Sequence, residues 1–129
     1  MTVTKTILKL TPLHCVVKFS GTGESSTLAL ATDLLWSNPQ QTEVATTPKV
    51  NISGIWWTVQ GATAATIARN GATLYSLIGA FHFDFIGFAD IQENTSDIVV
   101  TLPSSDSEVV VELLKISGYN NTQHLNSEI

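Results

Sequence analysis

His82 and Asp84 stand two residues apart in Phe81-His82-Phe83-Asp84-Phe85. On an extended backbone that spacing puts both side chains on one face, the placement used by a His/Asp proton relay or by half of a metal site. A relay also needs a nucleophile and a metal site at least one more ligand, and no motif brings His14 or His124 to the same neighbourhood. The pattern therefore predicts an outward polar face on a strand whose three Phe rings turn to the core. Cys15 is the one thiol that could act as a nucleophile, but it is in phase with Leu13, Val17 and Phe19, which predicts a buried, apolar thiol. Asp90, Glu93 and Asp97 surround Asn94-Thr95-Ser96 and gather oxygen donors of the kind hard cations take. Their spacing departs from the EF-hand pattern, so a solvated, capped turn is expected, with weak calcium binding as the other possibility. Gly21-Thr22-Gly23 lacks the third glycine, the following helix and the Lys of a phosphate loop and reads as a turn.

The aromatic residues leave more open. Trp36, Trp57 and Tyr75 are candidates for a sugar-stacking platform or for the centre of a subunit interface. Trp56 and Trp57 are neighbours and must point to opposite faces of an extended chain, so one is expected in the core and the other toward a partner. Asn-x-Ser/Thr triplets at Asn51, Asn94 and Asn120 are what chance gives in a chain rich in Asn, Ser and Thr.

The elements that must position these residues alternate with period two. Leu13, Cys15, Val17 and Phe19 share one face and His14, Lys18 and Ser20 the other. After the Gly21–Gly23 turn the alternation resumes over Ser26–Thr32, which predicts a hairpin of these two strands. Residues 34–49 lose the period and hold Asn38, Pro39, two Gln, three Thr and Pro48, which predicts a long loop. Leu28–Trp36 has the Ala and Leu content of one short helix. Val50–Gln60 is dense in Val, Ile, Trp and Thr, as strands are. Asn70-Gly71 lies between two apolar runs, the requirement of a type I′ hairpin turn. A regular two-residue loop would pair Arg69 with Ala72, Ile67 with Leu74 and Thr66 with Tyr75, leaving Tyr75 on the reverse of Ile67. Ile98–Leu102 and Val109–Ile116 flank a Pro103–Ser107 turn cluster and are expected to pair antiparallel. Residues 119–129 form a polar tail. The sum is an all-β chain: one antiparallel β-sandwich or jelly roll of about eight strands over residues 1–129.

Composition narrows the function classes. A chain of 129 residues is one domain and buries roughly two thirds of its unfolded surface. Its charged fraction of 13% is about half the usual quarter, which suits subunits packed against neighbours. Net charge is −5 with the six basic residues scattered, so nucleic acid is not an expected partner. One cysteine excludes a disulfide framework and a Cys-rich zinc module and points to a reducing compartment. No apolar run has the length of a signal peptide core or a membrane-spanning helix, and no cofactor or membrane contact is expected.

Several segments together resemble a known family. They are Thr4–Lys9, Val16-Val17-Lys18 with Gly21-Thr22-Gly23, Val50-Asn51-Ile52 through Trp57, Ile67–Gly71, Glu93–Val100 and Leu114–Tyr119. They resemble, in the same order and over most of the chain, small β-rich proteins of tailed phages of marine bacteria, especially cyanophages, that are described as virion structural proteins. Each stretch is a strand, turn or loop pattern, so the resemblance bears on fold and context and brings no catalytic residue with it. It implies a non-enzymatic virion component, such as a capsid decoration (cement) protein or a neck or tail accessory subunit. Such a protein is made in the host cytoplasm, forms homo-oligomers and partners other virion proteins. A carbohydrate- or receptor-binding β-sandwich module is the alternative, and a small β-fold enzyme the third class.

Overall fold

The computed structural model describes residues 3–11, 13–30, 33–34, 44–84 and 92–119, with main chain alone at 44–47, 84 and 117–119. Nine strands occupy them: β1 (Val3–Leu10), β2 (His14–Gly21), β3 (Ser25–Leu28), β4 (Val44–Val59), β5 (Ala65–Arg69), β6 (Ala72–Leu77), β7 (Gly79–Asp84), β8 (Ile98–Thr101) and β9 (Ser107–Tyr119). They form two antiparallel sheets, ordered β1-β2-β9-β4-β7 and β3-β8-β5-β6. The fold is the expected all-β sandwich, and no helix occurs among the described residues.

The two orders superimpose: β2 runs on into β3, β8 into β9, β4 into β5 and β6 into β7. The sandwich is thus a set of long antiparallel strands bent once along a common line. Hydrogen bonds cross that line: Gly23 N–H donates to Pro103 O (2.7 Å), Leu102 N–H to Glu24 O (2.9 Å) and Gln60 N–H to Asp106 O (3.4 Å). Two expected pairings are therefore wrong. The strands either side of Gly21–Gly23 form no hairpin, because Gly21 (φ 138°) and Gly23 (φ 69°) turn a corner between sheets. Likewise β8 and β9 do not pair; the Pro103–Asp106 corner sends them to different sheets.

Inward positions supply one core. Cys15, Val17 and Phe19 of β2 meet Val109, Val111 and Leu113 of β9, with Val50, Ile52, Ile55 and Val59 of β4, Ile67 of β5 and Ile98 and Val100 of β8, all buried. The β4–β9 register slips between Ile52 and Gly54. One extra residue there, Ser53, keeps Ile55 and Val59 on the face of Val50 and Ile52. On one flank β1 closes against β3: Lys5 Nζ donates to Thr27 O (2.9 Å) and pairs with Asp33 Oδ2 (2.5 Å).

Four further expectations need correction. Asn70 (φ 52°) and Gly71 (φ 76°) make the expected turn, but the register slips between Ile67 and Ala68, so that Ile67 faces Tyr75 and Ala65 faces Leu77. Leu74 is the extra residue, and it moves Tyr75 onto the inward face of Ile67, where it packs against the core. The expected 34–49 loop ends early, since β4 starts at Val44. Pro48 is accommodated because β4–β9 pairing is irregular from Val44 to Val50 and β7 joins only at Gly54. The expected helix at Leu28–Trp36 is represented by one helical-type bond, Asp33 N–H to Ala29 O (2.9 Å). Tyr119, expected in the tail, closes β9 opposite Val44; residues 35–43 and 120–129 lie outside the described residues.

Candidate functional site

One further difference from the sequence pattern bears directly on function. Phe81 and Phe83 were expected in the core, yet they are 67% and 50% exposed. Alternation did assign their face: Phe81 lies opposite Trp57 and Phe83 opposite the buried Ile55. It could not assign their place across the sheet. Since β7 is the outermost strand, its inward side chains run past the cover of the second sheet. Phe85, the third ring of the pattern, lies outside the described residues.

The result is an aromatic margin. Trp57 packs against the core, and its Nε1–H donates to Ile78 O (3.0 Å). Phe81 meets Trp57 edge-on, with ring centroids 5.9 Å apart at 72°. His82 stacks on Phe81 at 5.5 Å and 28°. Strand neighbours point to opposite faces, so this stack carries at least one of the two rings around the free edge. On the outer face Trp56 folds back over Gly54, where an added Cβ would meet the indole at 3.1 Å. Trp56, Trp57, Thr58, Ala80, Phe81, His82, Glu108 and Val110 line an open depression of about 380 Å³. Exposed Ile78 extends the apolar margin toward β6.

The other candidates resolve separately. Cys15 is buried, and burial pushes its thiol up to about 11, so it is a poor nucleophile at neutral pH. The nearby Lys115 is 2% exposed, donates from Nζ to Leu34 O, and is pushed by burial down to about 8. Buried Arg69 donates from Nε (3.0 Å) and Nη2 (2.7 Å) to Ser96 O and from Nη1 (2.7 Å) to Val50 O. It thereby ties the 92–97 loop to the sandwich. In that loop Glu93 accepts from Asn70 Nδ2 (3.1 Å), Asp97 from Leu30 N–H (2.9 Å), and Asn94 O from Val50 N–H (2.9 Å). These oxygens diverge onto separate partners instead of converging on one point. Among the described residues no three His, Cys, Asp or Glu side chains come together as a metal site.

Comparisons with known proteins identify no relative: no protein-family model matches the chain, and neither the curated proteins nor the solved structures contain a match.

The geometry itself thus carries the functional argument. His82 is exposed on β7 and His14 on β2, separated in the sheet order by β9 and β4; Asp90, His124 and Trp36 lie outside the described residues. Trp57 and Tyr75 sit on different sheets, both packed against the core. Of the tandem tryptophans, Trp56 is the outward one. Sequence reasoning missed the Phe81–Phe83 margin and the burial of Arg69 and Lys115. The two cations were nevertheless signalled: Arg69 is in phase with Ala65 and Ile67, and Lys115 with Val111 and Leu113.

Proposed function

We propose that the chain is a non-enzymatic structural subunit of a tailed-phage virion, a capsid decoration protein or a neck or tail accessory subunit. It joins the particle through contacts with other virion proteins and with copies of itself. The observation that carries this reading is the apolar margin of Ile78, Phe81 and Phe83 on a free sheet edge, since a contiguous exposed apolar patch rimmed by polar residues marks an interaction surface. The low charge of the chain and the family resemblance of its strands and turns agree with it. Quantitative mass spectrometry of purified particles tests it. Tens to hundreds of copies per particle are expected, and absence of the chain from particles removes the reading.

A second reading is favoured by Trp56. Its indole lies over Gly54 on the outer face, beside His82 and Glu108 in the open depression, as a sugar-stacking surface requires. Calorimetric titration with oligosaccharides decides it: binding lost in Trp56→Ala would make the chain a carbohydrate-binding module.

A further inference from the structure

We infer that β7 is an open docking edge for a second copy of this chain, which adds its own β7 antiparallel to the first and makes one ten-stranded sheet. The inference rests on the reading of the chain as an assembly subunit and names the partner at that same surface.

Natural sheets protect their edges with short strands, bulges, lysines or prolines, and three of the four edges here do so. β1 carries Lys5 and Lys9, is bulged between Ile7 and Lys9, and closes on β3. β3 has four residues. β6 is bulged at Leu74. β7 has none of these devices: it pairs with β4 without a slip from Gly54↔Asp84 to Val59↔Gly79, and its sequence GAFHFD holds no Lys, Arg or Pro. Alternate residues of such a strand turn both N–H and C=O outward, and the matching group is another extended strand.

Symmetry selects a second copy. A two-fold axis normal to the sheet sets β7 against itself with each face preserved. Because opposed residues share a face, odd-numbered residues can then meet only odd-numbered ones. Phe81 or Phe83 therefore faces Phe81 or Phe83 of the second copy in each register centred on 81, 82 or 83. Each copy carries −5, but Ile78 to Phe83 has no carboxylate, so the two copies approach along an uncharged line.

The area available sets the strength. At 67% and 50% exposure, two rings that can bury about 150–250 Å² each still offer roughly 200 Å² per copy. With Ile78 and the strand main chain, the total reaches about 1,000 Å², the low end for a specific interface. A dissociation constant on the order of 1–100 µM follows. Pairing also parts the His82–Phe81 stack, which lies across this edge.

Sedimentation equilibrium of the full chain from about 1 to 200 µM, a span that brackets this affinity, tests the inference. Mass should double across that span. Phe81→Lys and Phe83→Lys, both at exposed sites, should keep the β-sheet circular dichroism and weaken association roughly tenfold or more. Leu8→Lys, on the exposed side of β1, should leave association unchanged. Hydrogen exchange should show amides of Gly79–Phe83 slowing with concentration. A monomer throughout, a dimer broken by Leu8→Lys and not by Phe81→Lys, or protection confined to other strands overturns the inference. A chain abundant in particles yet monomeric in solution leaves the virion reading standing and removes this one; a dimer absent from particles does the reverse.

Discussion

Lys115 makes the stability of this protein depend on pH in a window where few side chains titrate. Its ammonium is buried beside Cys15, and burial lowers its value from 10.5 to about 8. At about 1.4 kcal/mol per tenfold change in proton affinity, holding the charge inside costs about 3 kcal/mol at pH 7 relative to the unfolded chain. Between pH 8 and 10.5 the unfolded chain keeps a proton that the folded chain has released, so stability rises with pH. Cys15 acts oppositely: raised from 9.0 to about 11, it stays protonated in the fold above pH 9 while the unfolded thiol ionises, and stability falls. The net rise is therefore concentrated between pH 7 and 9 and amounts to about 1 kcal/mol. Urea titrations of the tryptophan fluorescence at pH 7, 8 and 9 measure it. In Lys115→Met the rise should vanish, and at pH 7 the loss of the bond to Leu34 O, about 1–3 kcal/mol, is offset by relief of the buried charge. In Cys15→Ala the rise should persist to about pH 10.5. If Lys115→Met and the parent run parallel from pH 7 to 9, the ammonium is not desolvated in the fold and the reasoning fails.

Deletion of Leu74 should be tolerated to within about 1 kcal/mol by thermal melting, because it removes the bulge residue and leaves Ile67 opposite Tyr75. Deletion of Ser76 turns Leu77 and the residues after it to the opposite face and should abolish soluble expression. Arg69→Met leaves the carbonyls of Ser96 and Val50 without these donors; a loss of about 3 kcal/mol or more is expected, with faster limited proteolysis in the 92–97 loop. Trp57→Phe removes the Nε1–H to Ile78 O bond and should cost about 1 kcal/mol in urea denaturation.

Local physics was legible in the chain and long-range pairing was not. The faces of Cys15, Val17 and Phe19 follow from alternation alone, and Asn70-Gly71 turns because both residues accept positive φ. A glycine- or proline-bearing connector, however, serves a hairpin and a corner between sheets equally well, so the partners of β2 and β9 could not be read from Gly21–Gly23 or Pro103. Bulges are similarly silent: nothing in Ala72–Leu77 marks Leu74 as the residue that slips, yet it decides where Tyr75 points. For the candidate site, the sequence named Trp57 and Tyr75, which both pack at the core margin. It misassigned Phe81 and Phe83 because exposure there depends on how many strands the facing sheet has.

The position of β9 also governs when the molecule can fold. It lies between β2 and β4 although it follows both by some fifty residues or more of sequence. A ribosome emits the chain from the N-terminus, so β2 and β4 wait with their mutual neighbour unmade until residues 107–119 emerge. The central ladder of the larger sheet is therefore completed late in synthesis, and during that interval the sides of both strands destined for β9 stand open to other chains.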